Sequence, residues 1–320
     1  MNAVKTIGHQ SLWLARRLLS GLIVVWAAAT FTFFVQFLMP GERAQIIFNA
    51  NSGNVGEIPR DQLLAINAKY GFDQPVFVQY GKYVRDVMHG DLGQSYVQYQ
   101  PVTDLIARQI GPTIALAFAA MLTAWIITIT TTVLFAGRNN IWSKALGGFQ
   151  VFLATLPPYW LATILLVVFA IQLRLFPVVG GNTLMGLVLP TMALALEIYG
   201  FLGQAVLSGF TRVLDQPFIT SSRMRGTGDL SLRLRHALRH AALPGITLSG
   251  WIIGKLLSGA VLIEAVFGRQ GLGGVLVAAS STRDVPVVSG VILVSAALFV
   301  AASLIVDLTI QLVDPRMKEA

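Results

Sequence analysis

His236 and His240 stand four residues apart in the stretch FITSSRMRGTGDLSLRLRHALRHAALPG, residues 218–245. That spacing puts two imidazoles on one helix face, as paired metal ligands require. No glutamate follows His236 and no third ligand type lies nearby, so the pair reads as hydrated and partner-facing. Gly250-Trp-Ile-Ile-Gly254-Lys255-Leu256 approaches the phosphate-cradling string Gly-x-x-x-x-Gly-Lys-Ser/Thr, but it is one residue short and lacks the hydroxyl. Gly271-Leu-Gly273-Gly274 follows no strand, which leaves a dinucleotide-binding turn unsupported. Glu197, Glu264 and Asp307 could serve acid–base chemistry, yet they fall in different apolar stretches without an evident His partner. Cysteine is absent, which excludes disulfides, thiolate metal sites and cysteine nucleophiles. The expectation is a protein that is not an enzyme and holds no cofactor of its own.

The elements that must position these residues are apolar almost throughout. Hydrophobic residues make up 55% of the 320, and charged residues only 12%, where soluble domains carry about 25%. Several apolar runs reach the ~20 residues that a helix needs to cross a bilayer core, so an all-α integral membrane protein is expected. A closed barrel would need short alternating strands, and none are visible. Six transmembrane helices are predicted, over 12–39, 112–135, 145–173, 184–210, 244–267 and 285–313. The run over 18–38 lacks a cleavage site and is expected to remain as a span. Pro157-Pro158 should break or kink the third span.

Lys5, Arg16 and Arg17 at the N-terminal end of the first span, Arg138 and Lys144 between the second and third, and Arg316 and Lys318 after the sixth place both termini in the cytoplasm. The connection between spans 1 and 2 is then a large extracytoplasmic loop. Within it Pro59 is placed as a first-turn proline and Gly71 as a helix stop, while Val76, Tyr80, Tyr83, Val84 and Val87 recur at helical spacing before Gly90. Two short amphipathic helices capping the outer mouth are predicted. The domain division expected is 1–100 for the N-terminal region, 101–315 for a five-helix core with its cytoplasmic loop at about 210–243, and 316–320 for the tail.

That loop gathers Arg223, Arg225, Arg233, Arg235 and Arg239. A nucleic-acid surface is disfavoured, because the cluster is confined between two spans and no reading module accompanies it. A short helix from Phe218 to Arg225, stopped by Gly226 or Gly228, should precede a second helix capped by Asp229 or Ser231 and running through Leu232, Arg235 and Arg239 towards Pro244. Exposed Phe218, Ile219 and Met224 flanked by Arg have the composition of an interaction surface; a plain solvated loop is the alternative. In the fifth span Lys255 lies near mid-membrane, where an ionisable group costs about 2.5 to 3.5 kcal/mol unless it finds water or a partner. It either faces a cavity, snorkels, or pairs with Glu197 of the fourth span. Gly250, Gly254, Ser258 and Gly259 recur at helical spacing and permit close helix approach.

Over nearly its whole length the chain resembles the permease subunits of dipeptide/oligopeptide/nickel-type binding-protein-dependent ABC importers. The likeness rests on Arg16-Arg17-Leu18, Met39-Pro40-Gly41, Gly71-Phe-Asp73-Gln-Pro75 with Gln79-Tyr80, Gly90-Asp-Leu-Gly-Gln-Ser95, Leu156-Pro157-Pro158-Tyr159-Trp160-Leu161 and Leu189-Pro190. It continues through Arg225-Gly226, Arg235-His236-Ala237-Leu238-Arg239, Leu243-Pro244, Glu264-Ala-Val-Phe-Gly268, Gly271-Leu-Gly273 and Asp314-Pro315-Arg316. The resemblance implies a type I ABC importer permease fold in the inner membrane. It also implies a second homologous permease subunit, two cytoplasmic ATP-binding subunits that hold ATP and Mg, and an external substrate-binding protein. By position, Phe218, Ile219, Ser221, Ser222, Arg223, Met224, Arg225, Gly226 and Asp229 form the ATPase-docking coupling helix, and Lys255 and Glu197 are translocation-pathway candidates.

Ser222-Arg223-Met224-Arg225-Gly226 departs from the family's Ala-Arg-Ala-Lys-Gly, Gln216-Pro217-Phe218 replaces an acidic–Tyr pair, and Gln270 stands where proline is usual. The cargo implied is a di- or oligopeptide. Nickel, metal chelates, glutathione and oligosaccharides are the alternatives within the same machine, and a self-sufficient secondary transporter or channel is the alternative outside it.

Overall fold

The computed structural model describes residues 2–38, 43–52, 58–138, 141–181 and 183–313. Met39-Pro40-Gly41, Asp314-Pro315-Arg316 and Lys318 lie outside them. In chain order the helices are α1 Asn2–Leu38, α2 Arg43–Ser52, α3 Arg60–Tyr70, α4 Val76–Met88, α5 Val102–Phe135, α6 Ile141–Thr155 and α7 Pro158–Leu165, which continues as a π-helix over Leu166–Gln172. Then follow α8 Leu184–Leu214, α9 Pro217–Met224, α10 Asp229–Leu232, a π-helical turn over Arg233–Ala237, α11 Leu238–Ala241, α12 Leu243–Val266, α13 Leu272–Ser281 and α14 Val285–Val313. No strand occurs among the described residues beyond an isolated bridge between Gln94 and Pro101.

Among the described residues five helices are long and apolar enough to cross a membrane, and α6 with α7 and its π extension form a pair, bent by 105°, that taken as one span makes a sixth. The break falls at Pro157, which caps α7 with an extended backbone at ψ 132°, while Pro158 enters the first turn, where a missing N–H costs nothing. The third span is thus two half-helices rather than one rod. The second span also differs from expectation: α5 begins at Val102 and carries Pro112 inside it. Burial of Val102 and Ile106 in an apolar core extends the helix upstream of a proline that by sequence marks a start.

The contacts divide the chain into two compact units, one of 1–111 with 271–300 and one of 112–270 with 301–320. In the first, α3 stops at Gly71 in the left-handed conformation and α4 follows Pro75. Pro59 is the residue preceding α3, with its carbonyl accepting from Leu63 N, rather than a member of the first turn. Helix α4 grips α1 through aromatic and hydroxyl contacts. Phe33 lies 5.3 Å from the Tyr80 ring and 5.6 Å from the Tyr83 ring, and their hydroxyls sit 2.7 Å from Thr30 Oγ1 and 3.1 Å from Thr32 Oγ1. Buried Asp284 receives Ser95 Oγ and, at 3.0 Å, Tyr96 N, which fixes the loop after α4 to the start of α14. Two helices here, α2 and α13, were outside the sequence expectation. Their compositions, RAQIIFNANS and LGGVLVAASS, lack a strong helical period.

The second unit is organised on α8, which packs against α6, α7, α11 and α12. Its core includes Leu116, Ala162, Leu194, Leu202, Ile252 and Ile263. Where apolar surface is no driving force, close backbone approach and internal hydrogen bonds hold helices together. Gly200 provides such an approach, since a Cβ there would stand 2.5 Å from Ala154 N. Trp125 Nε1 donates to Ser249 Oγ at 3.2 Å between α5 and α12, and buried Gln150 donates to the Tyr199 hydroxyl between α6 and α8. Thr113 Oγ1 donates to buried Glu264 at 2.7 Å, a structural tie between α5 and α12.

Candidate functional site

Two constellations of charged residues lie in the second unit, both built on α8. The first begins where α8 ends at Leu214. Gln216 adopts an extended backbone, and Pro217 opens α9 with its ring at the first helical position. The eight residues of α9 present two faces. Ile219 is fully buried, in a cluster with Val133, Phe210, Leu214, Leu232, Ala237 and Ala241. Buried Ser222 donates to Phe218 O at 2.9 Å and accepts from Arg225 Nη2 at 3.2 Å. Phe218, Ser221, Arg223, Met224 and Arg225 face outward, and Met224 is 79% exposed. The expected exposed trio of Phe218, Ile219 and Met224 is therefore corrected at Ile219. A helix of this length needs one apolar residue driven into the body to hold it, and Ile219 fills that place.

Gly226 ends the helix at φ +82°, a left-handed conformation that costs an L side chain about 1–2 kcal/mol. Gly228, with ψ 147°, precedes α10, so Asp229 is the first helical residue and not the cap that the sequence suggested; Ser231 is not the cap either. Freed from capping, the Asp229 carboxylate takes Arg233 Nε at 2.9 Å and lies 3.9 Å from Arg138 Nη2. Arg233 is only 4% exposed. Its Nη1 donates to Val133 O at 3.1 Å and Ala136 O at 2.7 Å, the orphan carbonyls at the C-terminal end of α5. Cationic charge there is also favoured by the helix dipole. Arg235 and Arg239 remain exposed, and His240 sits edge-on to Phe218 at 5.3 Å between centroids. One arginine of the basic run thus anchors the segment to α5, while Arg223 and Arg225 are presented on its outer side.

The second constellation lies 17 residues back along α8, roughly 25 Å at 1.5 Å per residue. Lys255 Nζ of α12 meets Glu197 Oε1 of α8 at 2.7 Å, with the lysine side chain 31% and the glutamate 6% exposed. The pair was one of three outcomes open by sequence. Its setting was not foreseen: the ammonium also lies 4.0 Å from the Phe201 ring and 5.7 Å from the Trp251 ring, and those rings meet edge-to-face at 5.8 Å. Phe201 is one turn from Glu197 and Trp251 one turn from Lys255, so two i,i+4 pairs close a box around one cation. The carboxylate and ring faces compensate for taking the ammonium out of water.

Two family profiles match this chain. The binding-protein-dependent transport system inner membrane component matches residues 128–319, and the N-terminal part of the corresponding membrane component matches 11–117. A putative peptide transport system permease protein of Brucella abortus is 33% identical over 317 residues, which cover 95% of this chain and 98% of that protein. One from Brucella suis is 33% identical over 94% of this chain and 97% of its own length. The glutathione transport system permease protein GsiC of Escherichia coli is 29% identical over 96% of this chain and 98% of its own.

Proposed function

Because this chain belongs to the binding-protein-dependent transport system inner membrane component family, we propose that it forms the transmembrane pathway of an ATP-driven importer of short peptides, with α9 as its coupling helix. It is a multi-pass membrane protein that works with an ATPase and an external binding protein. The assembly we infer contains a second, homologous permease subunit and two ATP-binding subunits, with both termini and α9 on the cytoplasmic side. ATP and Mg are then held by the ATPases, and this chain carries no cofactor. The peptide assignment is supported by the Brucella relatives, and the likeness to GsiC favours glutathione, itself a modified tripeptide, as the second cargo.

The observation that carries the coupling role is the division of α9 and the residue that follows it into an outward face of Phe218, Arg223, Met224 and Arg225 and an inward anchor of Ile219, Ser222 and, through the following turn, Arg233. A push on the outer face would be transmitted to α5 and α8 instead of being absorbed by a loose loop. Lys255, partly exposed beside Glu197, supplies a positive group to the pathway.

The native chain has no cysteine, so a single introduced thiol is unique. Met224→Cys, treated in the assembled complex with a short reagent carrying one thiol-reactive and one amine-reactive end, should join this chain to an ATPase subunit, with a yield that changes when ATP is added. Attachment to any other component, or a yield indifferent to the presence of the ATPase, would refute the docking role.

A further inference from the structure

A cavity of about 300 Å³ lies within the first unit, bounded by the end of α1, the start of α2, the α3–α4 turn, the 91–96 loop and the start of α14. That volume is at the low end of the range for small-molecule sites. Its most unusual wall residue is Arg43. The guanidinium stacks 4.5 Å from the Phe72 ring and 5.4 Å from the Phe37 ring, and Nη2 donates to Gln79 Oε1 at 2.9 Å. Gln79 is itself held by Nε2 donation to Phe72 O at 3.1 Å and Gln74 O at 2.7 Å, so the arginine rests on a fixed seat. No carboxylate bonds Arg43 among the described residues. Burial pushes its ionisation below the ordinary arginine range, with the Tyr96 phenol close enough to bias it the other way. The Tyr96 phenol faces the same cavity and is held protonated by burial, which makes it a standing hydrogen-bond donor.

A guanidinium fork offers five N–H donors and matches a carboxylate two at a time. Here one edge is used by an amide oxygen and the faces by two rings, which leaves in-plane donors without an acceptor among the described residues. The rest of the wall is mixed in sign: Lys82 adds a cation, while Asp86 and Asp91 add carboxylates. Among the described residues Asp86 is engaged only by exposed Arg85 at 3.4 Å, and Asp91 accepts Gly93 N at 2.8 Å. Tyr70 and Phe72 stack at 5.6 Å and supply apolar surface. A ligand suited to this wall carries a carboxylate, an opposite charge elsewhere and some apolar area.

We propose that the cavity is a binding site for the free C-terminal carboxylate of a short zwitterionic peptide, received by Arg43 with the Tyr96 hydroxyl. The peptide part of this assignment rests on the cargo reading above; the carboxylate part rests on the cavity. The site is walled by the connection between the first two spans together with the end of α1 and the start of α14, and would hold a peptide before it enters the pathway.

The test is calorimetric titration of the assembled complex in lipid nanodiscs, without external binding protein, with the dipeptide Ala-Phe, its C-terminal amide, and 3-phenylpropionate. Ala-Phe should bind about tenfold or more tightly than the amide, the scale of a charge-assisted hydrogen bond. Arg43→Met should abolish the discrimination, and Arg43→Lys should retain part of it. The wild-type comparison of acid and amide does not depend on any variant folding. Equal binding of acid and amide, or discrimination that survives in Arg43→Met, would overturn the site. Binding of 3-phenylpropionate without binding of dipeptide would keep a carboxylate site but overturn the peptide as its ligand. In a separate titration with peptide-free external protein, binding that Arg43→Met abolishes, with no peptide discrimination in the first titration, would overturn the site and assign the guanidinium to a protein contact. Uptake of Ala-Phe by proteoliposomes containing all subunits separates the two readings: uptake with no discrimination in nanodiscs removes only the site, whereas no uptake of any peptide removes the cargo assignment.

Discussion

Glu197 and Lys255 form an ion pair in an apolar setting, and removing either leaves the other without its partner. Lys255→Met is expected to lower the stability of the folded chain in detergent by about 2 kcal/mol, less than for a fully buried pair because the lysine is partly solvated. The double variant Glu197→Gln/Lys255→Met should recover most of that loss in a thermal unfolding assay while changing which peptides are imported. Unchanged import and unchanged cargo preference in Lys255→Met at normal protein level would exclude the lysine from the pathway. Arg233 presents a different case. Lysine cannot reach a carboxylate and two carbonyls with one ammonium, so Arg233→Lys should behave nearly as badly as Arg233→Met in complex assembly and coupled transport. The Glu197–Lys255 pairing was only one of three outcomes the sequence left open, because charge and depth name the candidates for an ion pair without excluding a cavity or snorkelling. Arg233 was not legible, since its acceptors are main-chain carbonyls 97 and 100 residues away, which carry no side-chain signature.

Helix α9 was readable as an element: Pro217 opens it and Gly226 closes it, both by local backbone chemistry. Its orientation was not, because eight residues define no face until Ile219 finds its cluster with Phe210 and Leu232. Gly226→Pro cannot take φ +82°, since proline is fixed near −65°, so the hairpin between α9 and α10 should be displaced while the spans remain folded. Circular dichroism of that variant should match the native chain, with ATP hydrolysis in the complex no longer yielding import. Native coupling ratios in Gly226→Pro would show that the turn has no mechanical part. The same contrast holds for span 3, where Pro157-Pro158 announced a break but only packing against α8 turns the break into a 105° bend. Helices α2 and α13 were missed, since their form depends on neighbours that sequence periodicity does not report.

At the scale of the molecule, composition and run length identify a six-span helical membrane protein, and the described residues supply five unbroken apolar helices and one bent pair. The contact units cut across chain order because 271–300 folds back onto the 102–111 stretch through Val102, Ile106, Leu272 and Val291. That return is a long-range contact between apolar residues of ordinary type, and nothing in their spacing announces it. The central claim is that exposed arginines on a well-anchored α9 convert ATP hydrolysis by a partner into peptide movement. It is tested most directly by reconstituting the complex in proteoliposomes with Arg223→Glu/Arg225→Glu and measuring ATP hydrolysis and peptide uptake in the same vesicles. The expected result is membrane-inserted protein of native amount and fold, with the number of peptides moved per ATP reduced about tenfold or more, the scale of losing charge-assisted contacts. A native ratio of uptake to hydrolysis in that variant would contradict the claim.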